Sequence, residues 1–362
     1  MKNRHSDYMR WAKTFSRARY NLATSGVGPF PMKDLPFDLQ QLEINGPSTY
    51  GYTPLQSALA GKSQVDPDCV VAAAGTSMAN HLAMATLLND GDEVIIEAPA
   101  YELLVSTTLY FTSNVKRFAR REEEGYRLDP REVERAVSSR TRLIVLTNLH
   151  NPSSAFAGEF ELRAVGEIAR SVGARVLVDE VYLDAVYENT PRSSFHYGPE
   201  FVVTSSLTKV YGLSGLRCGW ILAEPDLARS MWRLNDLFGS IPAFPAEQLS
   251  VAALENLAII RDRARRVVEV DRKALAEFLD RRAGITRPHT DWGTTAFIGL
   301  QGESVDLLLQ RLRDEQETTV VPGLFFDSPR HFRIGMGVDS EMFREGLRRL
   351  SIELDKIGSC AG

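Results

Sequence analysis

Five groups of reactive or polar residues in this 362-residue sequence each follow a short apolar run. The most unusual is Lys209, which comes after FVVTSS and before a glycine-rich segment, whereas most lysines lie on polar helix faces. Asp179 and Tyr182 follow the run ARVLV. The remaining groups are Gly75-Thr76-Ser77 after CVVAAA, Tyr101 after EVIIEA and Asn151 after RLIVLTN. Together they offer an amine, a carboxylate, an aromatic ring, an amide and two hydroxyl groups.

The apolar runs predict the structure that must position these groups. Between residues 66 and 222, near-continuous apolar runs of β-forming residues alternate with amphipathic stretches such as 159–173. This pattern predicts an α/β fold, with a mainly parallel sheet covered by helices on both faces. Ligands of such sheets bind at the carboxyl ends of the strands. We therefore expect the five groups to meet at one edge of the sheet.

Each group has an ordinary explanation when it is taken alone. Thr76 and Ser77 are common helix caps, Asp179 could be another cap, and Tyr101 could belong to the core or the surface. Taken together, the five groups match what pyridoxal 5′-phosphate requires. A helix N-terminus suits its phosphate, a lysine forms the Schiff base, and a carboxylate keeps the ring nitrogen protonated. The sequence therefore predicts a site for this cofactor.

The sequence resembles the fold type I pyridoxal-phosphate enzymes, specifically the class I/II aminotransferases of the aspartate aminotransferase superfamily. The resemblance runs from about Asn21 to Arg333 and is most specific in SLTKVYGLSGLR (206–217). There the family has Ser-x-Ser-Lys, with an arginine eight residues after the lysine, as Arg217 is here. The family's Asp-Glu-x-Tyr is read at 179–182, and its phosphate loop of the Gly-Ala-Thr type at 75–77.

The resemblance implies a role for each matching residue. Lys209 would form the Schiff base and move a proton between the substrate Cα and the cofactor. Asp179 would pair with the pyridinium nitrogen, and Tyr101 would stack on the ring. Asn151 and the catalytic Tyr182 would bind the 3-oxygen of the ring. The phosphate would be held by Gly75, Thr76, Ser77, Ser206, Thr208 and Arg217, and by Tyr50 of a neighbouring subunit. The substrate would meet Arg333 at its α-carboxylate, with Gly26 and Asn151 beside it.

The sequence departs from the family pattern in several places. The usual Asn-Pro-x-Asn-Pro-Thr-Gly is here 148–154, NLHNPSS. His150 in this stretch is either a loop residue, which we favour, or a substrate contact. Tyr50 and Tyr52 compete for one role, for which we prefer Tyr50. The sequence identifies no arginine that would bind a second carboxylate of the substrate. Trp11 and Phe238 either line a side-chain pocket or simply pack.

The amino-acid composition and charge of the chain limit which binding partners and which cellular compartment are expected. Lys plus Arg number 42 and Asp plus Glu 47, which gives a net charge of −5, so nucleic acid and anionic membranes are not expected partners. The 21 residues 69–89 lack charge but are broken by polar residues at their centre, which argues against a membrane span. Three scattered cysteines, at positions 69, 218 and 360, predict neither disulfides nor a metal site. Without an apolar leader at the N-terminus, we expect a cytoplasmic protein.

We predict three segments. Residues 46–245 form the large cofactor-binding domain, 246–362 an interdomain helix and a small α+β domain, and 1–45 an N-terminal arm that belongs to the small domain. If Tyr50 serves the neighbour's cofactor, the protein is a homodimer with shared active sites.

The expected reaction moves an amino group from an L-amino acid to a 2-oxo acid. A lyase or cyclase of amino-acid secondary metabolism is the alternative, because the same residues serve those reactions. A non-enzymatic regulator is disfavoured, since no basic helix-turn-helix segment precedes Asn21.

Overall fold

The computed structural model describes residues 3–287, 289–301 and 305–360, without the side chains of 357–360. The strands are β1 (Tyr20–Asn21), β2 (Val70–Ala74), β3 (Glu93–Ala98), β4 (Val115–Ala119), β5 (Thr141–Thr147), β6 (Arg175–Asp179), β7 (Phe201–Ser206), β8 (Cys218–Leu222), β9 (Thr295–Gly299), β10 (Thr318–Thr319), β11 (Val321–Pro322) and β12 (His331–Gly335). The helices are α1 (Asp7–Thr14), α2 (Thr53–Ser63), α3 (Thr76–Leu87), α4 (Glu102–Phe111), α5 (Pro130–Ala136), α6 (Glu159–Val172), α7 (Pro225–Asn235), α8 (Phe244–Glu255), α9 (Leu257–Asp280), α10 (Asp306–Asp314) and α11 (Ser340–Cys360).

Seven of these strands form one sheet, in the order β2-β8-β7-β6-β5-β3-β4. The pairs β4–β3, β3–β5, β5–β6 and β6–β7 are parallel, and β8 is antiparallel to both of its neighbours. Apart from the edge strand β4, the strands are buried almost throughout, because helices cover both faces. Helix α6 illustrates the local signals: it ends at Val172 because Gly173 takes a left-handed φ of 70° and caps it. The predicted α/β fold is confirmed.

Smaller sheets lie outside this one. β9, β12 and β11 form an antiparallel sheet, and β1 pairs in parallel with β10, so an N-terminal strand joins the C-terminal part of the chain. The largest cluster of buried apolar side chains runs from Leu35 to Ile260. Another contains Leu22 together with residues between Leu275 and Leu354. These separate cores agree with a large domain and a small domain, whose boundaries stay a prediction.

Two parts of the fold differ from simple expectation. Strand β4 was not predicted, because Lys116 and Arg117 interrupt its apolar pattern at the edge of the sheet. In place of the single interdomain helix predicted after residue 246, the chain forms two helices, α8 and α9, that meet at Asn256. Within the described residues, no helix combines the length and the apolarity that a bilayer span requires.

A buried ion pair ties together the ends of three parallel strands. Glu97 lies at the end of β3, and its Oε2 accepts a hydrogen bond from Arg120, just beyond β4, at 2.9 Å. Its Oε1 accepts from both the backbone N–H and the hydroxyl of Thr147, the last residue of β5, at 2.8 and 2.6 Å. The Thr147 Oγ1 in turn accepts from the backbone N–H of Asn151 at 2.9 Å. This pair therefore fixes the loop that follows β5.

Replacing Glu97 by Gln should strongly destabilise the protein. Arg120 is fully buried, so the variant leaves a guanidinium without its anion in the interior. We expect the free energy of unfolding to fall by about 3–5 kcal/mol, measured by urea denaturation. Glu123→Gln, at an exposed position nearby, is the matched control and should change it by less than about 0.5 kcal/mol. Equal effects of the two substitutions would contradict this account of the ion pair.

Candidate active site

A cavity of about 260 Å³ opens at the carboxyl edge of the large sheet. It brings together residues from the ends of β2, β3, β5, β6 and β7, as the parallel topology requires. The predicted site residues that line it are Thr76, Ser77, Tyr101, Asn151, Asp179, Tyr182, Ser206, Thr208, Lys209 and Arg217. The expectation that the five groups meet at one edge is therefore met by the structure.

Lys209 projects its amine toward the N-terminal segment. Its Nζ donates a hydrogen bond to the Ser25 hydroxyl at 2.7 Å, and its backbone carbonyl accepts from the N–H of Val27 at 2.7 Å. Gly26 lies between these two contacts. A Cβ on Gly26 would stand 2.8 Å from the Lys209 carbonyl oxygen, so the close approach depends on a glycine. The segment 25–27 thus holds Lys209 in place, whereas a contact of Gly26 with substrate stays a prediction.

Asp179 is a buried carboxylate at the end of β6. Its Oδ2 accepts from the Asn80 amide at 2.9 Å, and its Oδ1 accepts from the Val181 N–H at 3.1 Å. Burial raises its pKa to about 6, although these hydrogen bonds and the charge of Lys209 act in the opposite direction. A protonated ring nitrogen beside it would supply the cation that the site needs to keep Asp179 ionised.

The loop after β2 forms a cradle for an anion. Gly75 has a φ of 80° and precedes α3, whose free N–H groups and dipole favour a phosphate. A Cβ on Gly75 would lie 2.3 Å from Nη2 of Arg217, which donates to the Ala74 carbonyl at 3.1 Å. The buried Thr76 hydroxyl has no hydrogen-bond partner within the described part of the chain. The residues present therefore fit the phosphate of pyridoxal 5′-phosphate, as Asp179 and Lys209 fit its ring and aldehyde.

Arg333 lies fully buried behind the cavity. Its Nη1 donates to Oδ1 of Asn151 at 2.8 Å and its Nη2 to the phenol oxygen of Tyr8 at 3.1 Å, while its Nε has no partner among the described residues. Because the Asn151 oxygen is occupied, the NH2 group of that amide is the part able to donate to a ring oxygen. Burial raises the pKa of the Tyr8 phenol, but the charges of Arg333 and Lys209 outweigh it, so this pKa is below its usual value.

Three residues of the site were not predicted from the sequence. Tyr8 and Ser25 come from the N-terminal segment, and Tyr8 also packs edge-on against Tyr101 with ring centres 5.2 Å apart. Asn80 lies on α3, four residues after Thr76 and therefore one helical turn further on the same face. That spacing is a signal that could have identified Asn80. No comparable local pattern marks Tyr8 or Ser25.

His150 is a loop residue, as we favoured. Its Nε2 lies 2.9 Å from the Pro99 carbonyl oxygen and its Nδ1 2.6 Å from the Ser153 hydroxyl, and it is not among the cavity-lining residues. Burial lowers the pKa of His150 well below its usual value, which favours a neutral ring. The other aromatic residues whose roles were open lie outside this cavity. Trp11 packs on Tyr8 and Phe325, Tyr52 packs on Phe244, and Phe238 packs on His81. Tyr50 is exposed, and its hydroxyl donates a hydrogen bond to Asp236.

A larger cavity of about 510 Å³ lies on the opposite face of the same strands. It is lined by Glu180, the residue directly after β6, and by Ser205 of β7, which are adjacent in sequence to Asp179 and Ser206 of the first cavity and therefore point to the other face. Glu180 accepts from the N–H and hydroxyl of Ser194 at 2.7 and 2.5 Å, and burial raises its pKa to about 7. The Lys62 amine pairs with Asp184 at 2.9 Å. Glu180, Lys62 and Asp184 therefore already have partners within the protein.

Comparison with known proteins gives a consistent result. The family model described as aminotransferase class I and II matches residues 37–350. Capreomycidine synthase of Streptomyces vinaceus is 27% identical over 361 residues, covering 96% of this chain and 92% of that protein. Arginine–pyruvate transaminase of Pseudomonas aeruginosa is 28% identical over 300 residues, covering 80% and 75%. A solved pyridoxal-phosphate-dependent aminotransferase from Streptococcus suis 89-1591 superposes with a TM-score of 0.91 at 23% identity, covering 98% and 99%.

The raised pKa of Asp179 predicts a pH-dependent effect of Asp179→Asn on the cofactor-free protein. The folded pKa of about 6 exceeds the ordinary value of 3.8, so the wild type loses stability as pH rises through this window. The full pKa shift corresponds to a loss of about 3 kcal/mol in the free energy of unfolding of the wild type. The variant has no carboxyl group at this position and does not undergo this loss. About half of this loss falls between pH 5 and pH 8, so the melting temperature of the variant minus that of the wild type should be about 2 °C larger at pH 8 than at pH 5. The same difference at both pH values would show that Asp179 ionises normally.

Proposed function

Since this chain belongs to the class I and II aminotransferases, we propose that its sheet-edge cavity transfers an amino group from an L-amino acid to a 2-oxo acid. The family assigns pyridoxal 5′-phosphate as the cofactor and transfer of nitrogenous groups as the activity. The observation that carries the assignment of roles is the placement of the Lys209 amine, the buried Asp179 carboxylate and the Thr76 hydroxyl in a single cavity.

When bound, pyridoxal 5′-phosphate supplies an aldehyde that condenses with amines and a ring that withdraws electrons from the substrate Cα. Lys209 would hold the cofactor through its amine and, when that amine is free, would carry the proton that leaves the substrate Cα. Asp179 would hold the ring nitrogen protonated, which would strengthen the electron withdrawal. Tyr182 and Asn151 are both buried and would hold the ring oxygen away from water.

Arg333 provides the binding site for the substrate α-carboxylate. Nη1 is held by Asn151 and Nη2 by the phenol oxygen of Tyr8, so a carboxylate would bind the unpartnered Nε and would replace or share the Tyr8 contact at Nη2. The cavity wall that remains for the substrate side chain is largely apolar, with Met9, Ala12 and Leu103 contributing to it. These residues support a substrate whose α-carboxylate is fixed and whose side chain lies against α1.

A ring-forming or lyase reaction on the same fold is the second candidate. It is favoured by one observation: capreomycidine synthase, a relative that is not named as a transaminase, matches 96% of this chain. The cavity residues that hold the cofactor serve both kinds of reaction, so geometry alone does not separate them.

We further place the protein in the cytoplasm. This proposal is supported by Cys69 and Cys218, which are both free and buried, because reducing compartments keep thiols unpaired.

A surface near the cavity supports a homodimer. This surface consists of exposed or partly exposed aromatic and apolar residues. Tyr50 donates a hydrogen bond to Asp236, which Leu237 and Phe238 follow in the sequence. Phe238 packs on His81, and His81 packs on Tyr110. His81 lies on α3, whose first residue Thr76 belongs to the phosphate cradle. We propose that a second copy of the chain covers this surface and that its Tyr50 reaches the phosphate. Large exposed apolar surfaces of this kind mark interfaces.

Sedimentation equilibrium should therefore show a dimer. Phe238→Glu combined with Leu237→Glu should yield monomers that bind the cofactor more weakly, because a charge would be buried in the interface. The control is Phe160→Glu, which alters another exposed ring, on α6, and should leave the dimer intact. Mixing Tyr50→Ala with Lys209→Ala subunits should restore activity, since one site of the hybrid has both residues. A fully active monomer would refute the shared site.

The half-reaction separates a transaminase from the second candidate. An amino donor mixed with the yellow holoenzyme, without acceptor, should bleach the visible absorption band and raise a near-ultraviolet band, because the amino group stays on the cofactor. A 2-oxo acid should restore the first spectrum. The donor panel includes L-arginine, on which a relative acts by its name, and L-aspartate.

Lys209→Ala is the matched control for this experiment. It keeps Thr76, Asp179 and Arg217 and should still bind the cofactor, yet its bleaching should be slower by about a thousandfold, because the proton carrier is lost. If no donor bleaches the wild type while one is consumed with ammonia release or ring closure, the second candidate is correct.

A further inference from the structure

One polar side chain from helix α3 donates a hydrogen bond to the Asp179 carboxylate. This residue, Asn80, is 5% exposed and reaches Asp179 from α3, on the side of the carboxylate opposite the Val181 N–H. Other titratable groups facing Asp179 are the Lys209 amine and the phenols of Tyr101 and Tyr182. None of these three forms a described hydrogen bond with the carboxylate.

The orientation of the Asn80 amide is set by a second contact. Its Oδ1 accepts a hydrogen bond from the Thr204 hydroxyl at 2.5 Å, which leaves its NH2 group directed at Asp179. Thr204 lies on β7 directly opposite Asp179 on β6, so the amide links the two strands through side chains. An amide NH2 donates to an ionised carboxylate oxygen. The NH2 group cannot accept a hydrogen bond from a protonated carboxyl group. For the amide to accept such a bond, it would have to flip and give up its present bond with Thr204.

We propose that Asn80 is a positioning residue that holds Asp179 ionised and oriented toward the ring nitrogen of the cofactor. The proposal rests on the proposed function, because it assumes that a pyridine ring lies against Asp179. Asn80 acts through Asp179, and Thr204 acts through Asn80 by locking the amide. A hydrogen bond from a neutral group to a charged one inside a protein is strong enough to decide between two protonation states.

The test uses pyridoxamine 5′-phosphate, which has the same ring and phosphate but forms no covalent bond with Lys209. Its dissociation constant from the cofactor-free protein is measured by calorimetry between pH 6.5 and 9 for the wild type and for Asn80→Leu, which has a similar size but no donor. We expect binding by the variant to be about five- to tenfold weaker at pH 6.5 and nearly equal to the wild type at pH 9. The reason is that Asp179 without its donor ionises only at higher pH.

Thr204→Val is the second variant, and it keeps the proposal testable if Asn80→Leu does not fold. It should show the same pH-dependent weakening with a smaller amplitude, because the amide remains but is free to flip. A loss of affinity that is the same at every pH, or no loss, would overturn the proposal and leave Asn80 a packing residue. Failure of the wild type to bind pyridoxamine 5′-phosphate would instead contradict the proposed function itself.

Discussion

The site depends on a carboxylate that has been taken out of water. Asp179 ends a central strand, is buried, and accepts hydrogen bonds from one side-chain amide and one backbone N–H. Two neutral donors and the nearby Lys209 do not offset the loss of hydration, and the pKa of Asp179 is raised to about 6. A protonated pyridine nitrogen of the cofactor would supply the missing cation. On this account, cofactor binding and the ionisation of Asp179 would stabilise each other.

The sheet makes this arrangement possible because it brings strand ends together and keeps them rigid. A continuous series of hydrogen bonds runs from the buried Arg120–Glu97 pair through Thr147 and Asn151 to the guanidinium of Arg333. Arg333, the proposed binding residue for the substrate carboxylate, is thus connected to an ion pair at the ends of β3 and β4. The N-terminal segment closes the other side, where Tyr8 bonds to Arg333 and Ser25 to Lys209.

The sequence was most informative where chemistry follows directly on a strand. Lys209, Asp179 and Thr76 could be predicted because apolar runs mark buried strands and ligands bind at strand ends. Tyr8 and Ser25 could not, since only tertiary packing brings the N-terminal segment to the site. Strand β4 was missed because an edge strand tolerates charged side chains, which remove the apolar pattern. The sequence around the helix break at Asn256 likewise contains no proline or glycine that would indicate the break.

The central claim is that one amine and one carboxylate, Lys209 and Asp179, hold the same cofactor in this cavity. Borohydride reduction of the holoenzyme followed by peptide mass spectrometry tests it most directly. The account predicts that the cofactor becomes attached to the peptide containing Lys209. It also predicts that Asp179→Asn shows the same attachment but needs more cofactor for saturation. Attachment to a different lysine, or none at saturating cofactor, would contradict the account.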